Sequence, residues 1–126
     1  MTPELLDAKV KGCVIATWDR LRKLYPTISV RYPAVKYSNR LKTTAGRAFL
    51  REGYIELSTS LLWQHQAAFM QTIIPHELAH IVAYQIAGDE GHGIPWKNVM
   101  QVLDLPPDRC HTLVNYHYEA RKRARA

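Results

Sequence analysis

The sequence predicts an α+β fold: one amphipathic helix, a small antiparallel β-sheet of about three strands, then a run of helices. Three observations carry that expectation. Apolar residues recur at helical spacing up to Tyr25, two short β-branched and aromatic runs flank Glu52-Gly53, and helical periodicity returns from Thr59 onward.

From Pro3 to Tyr25 the residues Leu5, Leu6, Val10, Val14, Trp18 and Leu21 recur every three or four positions, as one buried helix face requires, and Pro26 closes the run. Residues 28–37 (ISVRYPAVKY) are rich in strand formers but interrupted by Pro33, which predicts an irregular or edge strand. Two clearer strands follow, residues 46–51 and 54–58. Between them Glu52-Gly53 suits a tight hairpin, because glycine adopts positive φ without steric cost. Residues 59–70 read as a helix capped by Ser58 or Thr59, and a second helix runs from about Pro75 to Ala87, where Gly88 stops it. A loop containing Gly88, Gly91 and Gly93 leads to a helix over Trp96–Leu103, which Pro106-Pro107 breaks. A final helix is expected over Asp108–Ala126.

The chain has 126 residues, 47% of them hydrophobic, enough for one core without crosslinks. A single domain over residues 1–126 is expected, with a short basic tail at about 119–126 holding Arg121, Lys122, Arg123 and Arg125. The two cysteines, Cys13 and Cys110, lie far apart and form no CxxC pair, so they suggest neither a disulfide framework nor a cysteine zinc ribbon and are expected to be reduced, half-buried thiols. No apolar run reaches the roughly 20 residues needed to span a bilayer, and the N-terminal stretch lacks the apolar core of a secretory signal. These features predict a soluble chain without a membrane partner, in the cytoplasm or associated with the nucleoid. A formal charge of +6 biases the surface toward polyanions, DNA among them.

His76-Glu77-Leu78-Ala79-His80 is an HExxH motif lying where the apolar pattern already asks for a helix. Positions four apart sit one turn above each other, so both imidazoles can face one metal ion. Glu77 is rotated by about 100° from His76, which sets its carboxylate beside the ion as an acid/base rather than onto it. Ile73, Ile74, Leu78, Ile81 and Val82 surround these polar groups. Burying them unpaired costs about 1–3 kcal/mol each, and a shared cation satisfies them together. Catalytic zinc takes three protein ligands and keeps one position open. His92, bracketed by Gly91 and Gly93 twelve residues past His80, is the expected third ligand; Asp89 and Glu90 are competing oxygen donors, but so soon after the helix they read as solvated or as capping the loop. His65, His111 and His117 read as packing or surface residues. In a hydrolytic site the ion would acidify water and polarise a carbonyl, while Glu77 takes the water's proton and passes it to the departing amine.

These residues resemble the SprT-like metallopeptidases, a family that includes the catalytic domain of Spartan. The resemblance rests on Ala45-Gly46-Arg47-Ala48 with Tyr54-Ile55-Glu56-Leu57-Ser58 and Leu61-Leu62, on Pro75 through His80, and on Gly91-His92-Gly93 with Trp96. It implies a zincin-like fold, a zinc cofactor on His76, His80 and His92, catalysis by Glu77, and protein or peptide substrates. Spartan digests proteins attached to DNA, and the basic balance fits a DNA-associated substrate without requiring one. Counterparts of Spartan's long tails, and of the cysteine ribbon of many bacterial members, are not expected from these residues. The alternative from another class is a non-catalytic metal-binding, nucleic-acid-associated module or accessory regulator. A structural metal site has no use for Glu77 and usually closes with a fourth protein ligand.

Overall fold

The computed structural model describes residues 1–108 and 111–125; Cys110 lies outside them. Helix α1 spans Pro3–Leu24. Its start is fixed by Thr2, whose Oγ1 accepts a hydrogen bond from the Leu5 N–H at 3.1 Å, and by Pro3, which has no N–H to leave unpaired. Leu6, Val10, Val14, Trp18 and Leu21 are buried along one face. Leu5, placed on the same stripe by spacing, instead faces outward. Trp18 is fully buried and satisfies its indole N–H by donating to the Ser29 carbonyl at 2.9 Å, which ties α1 to the segment entering the sheet.

The sheet has three strands, β1 (Ala34–Ser38), β2 (Gly46–Phe49) and β3 (Tyr54–Ser58), in the order β1-β3-β2. The number of strands and the edge position of β1 follow the sequence expectation. The pairing departs from it: β2 and β3 are antiparallel, but β1 runs parallel to β3, so the sheet is mixed. The connection explains why. Ser38 pairs with Ser58 and Gly46 with Leu57, so the end of β1 and the start of β2 lie at the same end of β3, and residues 39–45 need only cross that end. The hairpin is also looser than expected. Phe49 pairs with Tyr54, leaving residues 50–53 as the loop, although Gly53 does take φ +74° and donates its N–H to Phe49 at 2.8 Å.

Ser58 caps α2 (Thr59–Gln64), its Oγ accepting from the Leu61 N–H at 3.2 Å. The chain breaks at His65 and then stays helical without interruption through α3 (Gln66–Ala68), a π-helical turn (Phe69–Ile73) and α4 (Ile74–Ala87). The sequence suggested two separate helices here. Pro75 is the reason for the wide turn: it cannot donate to the carbonyl four residues back, and its ring crowds that carbonyl. The Ile74 N–H reaches Phe69 instead, a five-residue step. Gly88 ends α4 in the left-handed region at φ +67°. Helix α5 (Ile94–Val102) begins two residues earlier than its periodicity indicated.

The last helix, α6, covers Tyr116–Arg125 rather than starting at Asp108. Residues 111–115 are not helical because other contacts use their polar groups. Asn115, a buried side chain, donates to the Lys42 carbonyl at 2.9 Å and accepts from the Tyr118 N–H at 3.1 Å, so it caps α6 while pinning the segment to the sheet connection. Helix α4 lies at the centre, packed against α1, β2 and α5, with Leu78, Ile81 and Val82 fully buried. Among the described residues no helix is long and apolar enough to cross a membrane.

Candidate metal centre

Helical spacing sets His76 and His80 on the cleft side of α4, one turn apart. Their Nε2 atoms lie 3.2 Å from each other. Two nitrogens bound to one tetrahedral ion at 2.0–2.1 Å would be about 3.3 Å apart, so the pair already has the separation of two ligands. The loop after Gly88 doubles back and places the His92 ring centroid 5.8 Å from that of His76 and 4.6 Å from that of His80. One ligand atom from each of His76, His80 and His92 falls within 4.8 Å of the others, and the three are positioned to bind a metal ion. The sequence-predicted trio is therefore brought together. Asp89 and Glu90 are not in the cluster.

Asp89 has a different task. Its Oδ1 accepts from the Gly91 N–H at 2.9 Å and its Oδ2 from the Trp96 N–H at 3.1 Å, so one carboxylate fixes the turn bearing His92 and caps the start of α5. The Gly91 hydrogen bond is the main reason its acidity is strengthened. Trp96, fully buried, forms the back of the cluster: its ring stacks on His80 at 5.2 Å and meets His92 edge-on at 4.6 Å. In the sequence Trp96 marks only the resemblance to the family; its packing against the imidazoles gives it a role.

Glu77 is buried, with Oε1 3.9 Å from His76 Nε2 and Oε2 without a hydrogen-bond partner among the described residues. Burial raises its pKa to about 8. Burial, followed by the neighbouring His92 and then His111, lowers His76 to about 4. His80 is likewise lowered to about 4, first by burial and then by His76 and His92, against an opposing hydrogen bond with the Gly91 backbone. At neutral pH both rings thus offer unprotonated nitrogens. The donor set fits a divalent cation: neutral imidazoles already converge, and an orphaned carboxylate oxygen gains from a positive charge beside it.

His76, Glu77, His80 and His92 all line a cleft of about 880 Å³. One wall is the chain entering β2 (residues 43–46) and another is the π turn, through Thr72 and Ile73. His111 also lines it and contacts the Thr43 carbonyl at 2.6 Å. Sequence reading gave His111 no role, since nothing in its local pattern announces a fold-back across 68 positions. His65 contacts the Val114 carbonyl, and His117 is exposed on α6. Cys13 is a free, half-buried thiol 3.3 Å from the Met70 carbonyl, away from the cluster.

A histidine trio on and beside an HExxH helix, within an α+β scaffold, defines a zincin-like protein. The chain belongs to the SprT-like family, whose sequence profile matches residues 19–116. It is 34% identical over 125 residues to Protein SprT of Pseudomonas putida (strain GB-1), covering 97% of this chain and 70% of that protein. Protein SprT of Pasteurella multocida (strain Pm70) is 44% identical over 81 residues, covering 63% of this chain and 48% of the relative. Protein SprT of Pseudomonas fluorescens (strain SBW25) is 30% identical over 126 residues, covering 96% and 69%. No solved structure matches the chain.

Proposed function

We propose that the chain is a zinc-dependent metalloendopeptidase that hydrolyses peptide bonds in proteins, with His76, His80 and His92 holding the metal and Glu77 as the catalytic acid/base. The observation that carries this reading is the placement of Glu77: a cleft-lining but buried residue beside the imidazole cluster, with one carboxylate oxygen that has no hydrogen-bond partner among the described residues. A structural metal site needs no such group. When bound, zinc supplies Lewis acidity, acidifying water and polarising the scissile carbonyl.

The residues of the chain do the rest. His76, His80 and His92 would hold the metal, and the cleft that they line would receive the substrate. Glu77 takes a proton from the attacking water as the new C–O bond forms, then delivers it to the amine nitrogen as the C–N bond breaks. The cleft wall at residues 43–46 leads into β2, an outer strand of the sheet, and an extended peptide fits such an edge better than a small amide does. The raised pKa of Glu77 belongs to the metal-free protein, and an adjacent dication favours the carboxylate that the first step needs.

The test is Glu77→Gln. It is expected to bind one zinc as the parent does and to lose peptide hydrolysis by a factor of about 10²–10⁴, the usual share of acid–base catalysis. A folded, zinc-loaded Glu77→Gln protein that cleaves a casein substrate at the parental rate would overturn the proposal.

A further inference from the structure

We infer that Gly46, the first residue of β2, is a positioning residue for Glu77: the absence of a side chain at position 46 sets where the Glu77 carboxylate stands relative to the imidazoles. This inference rests on the role proposed for Glu77 and extends it to the sheet. A Cβ on Gly46 would stand 3.2 Å from the Glu56 carbonyl oxygen, 3.2 Å from Glu77 Cγ and 3.3 Å from Leu57 Cδ2. All three separations are tighter than ordinary contact, so an added methyl group needs a few tenths of an ångström of room from each neighbour.

Two of them are held. Glu56 is in the central strand, paired with Lys36 on one side and Arg47 on the other, so its backbone cannot retreat without disturbing both ladders. Leu57 is fully buried in the core, where neighbouring side chains block displacement. Glu77 borders the cleft, and its Oε2 has no hydrogen bond among the described residues to hold it. Of the three, only Glu77 borders open space, so the largest displacement caused by a methyl group at position 46 falls on Glu77. Gly46 has no positive φ, so its lack of a side chain is explained by this close approach and not by backbone conformation. The clustered imidazole nitrogens belong to α4 and the loop after it, and none is among the three atoms nearest to such a Cβ.

The experiment is Gly46→Ala in the zinc-loaded full chain, with Glu77→Gln alongside. Zinc stoichiometry and affinity should match the parent, KM should hold, and kcat should fall roughly tenfold or more, as small misplacements of reacting groups do. A second readout does not depend on turnover. A hydroxamate passes its proton to a carboxylate beside the metal, whereas a small thiol binds the metal as a thiolate with no need of that carboxylate. Gly46→Ala should weaken acetohydroxamate binding about tenfold and leave mercaptoethanol binding unchanged, following the direction of Glu77→Gln.

Parental kcat and parental hydroxamate affinity in Gly46→Ala would overturn the inference. Equal loss of both inhibitors together with zinc would also overturn it, by showing a merely structural effect. If Gly46→Ala does not fold, Gly46→Ala/Leu57→Val, which removes the Leu57 Cδ2 contact, is read by the same criteria against Leu57→Val. Parental hydrolysis by Glu77→Gln would instead defeat the proposed function, and the two failures are distinguishable.

Discussion

Replacing Asp89 with alanine should weaken metal binding although Asp89 is no ligand. Its carboxylate accepts two backbone hydrogen bonds, from Gly91 at 2.9 Å and from Trp96 at 3.1 Å, and these hold the turn that presents His92. Hydrogen bonds to a charged acceptor contribute about 1.5–3 kcal/mol each when protected from water. Asp89 is only half-buried, so water replaces much of that on truncation, and about 1.4–2.7 kcal/mol in total is a reasonable residue. In the variant the turn is looser before binding, and ordering His92 draws on the metal's own binding free energy. That range corresponds to a loss of about 10–100-fold in affinity, the scale on which groups that orient ligands act. The assay is competition for zinc against a chromophoric chelator at fixed pH. Glu90→Ala is the control, since it removes a neighbouring exposed carboxylate of the same charge that lies outside the histidine cluster. Asp89→Asn, which keeps one acceptor oxygen, should fall between. Parental zinc affinity in Asp89→Ala, or an equal loss in Glu90→Ala, would refute the orienting role.

The metal-free protein should be most stable near pH 6.5 as far as the site is concerned. His76 and His80 are lowered from 6.5 to about 4, so between those values the unfolded chain binds more protons and their contribution to stability is lost as pH falls. Glu77 is raised from 4.5 to about 8, so its contribution is present below 4.5 and is lost as pH rises toward 8. Where the three overlap the two histidines outweigh the one glutamate, and above 6.5 only Glu77 changes. Urea titrations with chelator present should show the alkaline fall in the parent and not in Glu77→Gln; its persistence in that variant contradicts the assignment. That substrates are carried on DNA is a separate proposal, drawn from the basic charge of the chain, with its own test. Arg121, Lys122 and Arg123 are exposed on α6, so affinity for duplex DNA should fall steeply between 50 and 200 mM salt, and removing residues 121–126 should flatten that dependence. Absence of DNA binding at low salt ends that proposal.

What could be read from sequence was what short-range spacing encodes. The buried face of α1, its closure at Pro26, the facing pair His76 and His80, and the return of His92 through a glycine-rich turn depend on neighbours within about a dozen residues. The parallel pairing of β1 with β3 does not, because strand periodicity is the same in either direction and register is decided by distant partners. Pro75 was visible as a helix start, yet its effect inside a continuous helix, a π turn that lines the cleft, depends on what precedes it. Asn115 sits in a stretch without periodicity, and its burial follows from the carbonyl of Lys42, far away in sequence. The roles of Trp96 and Gly46 are likewise tertiary, each defined by the atom it touches rather than by the pattern around it. Asp89, by contrast, acts on Gly91 and Trp96, two and seven positions on, as a residue capping its own loop.

X-ray absorption on the zinc-loaded protein addresses the central claim most directly, because it counts and identifies the atoms around the ion. The account predicts three imidazole nitrogens and one oxygen at about 2.0–2.2 Å, falling to two imidazoles in His92→Ala. A sulfur ligand, or a parental spectrum unchanged by loss of His92, would contradict it.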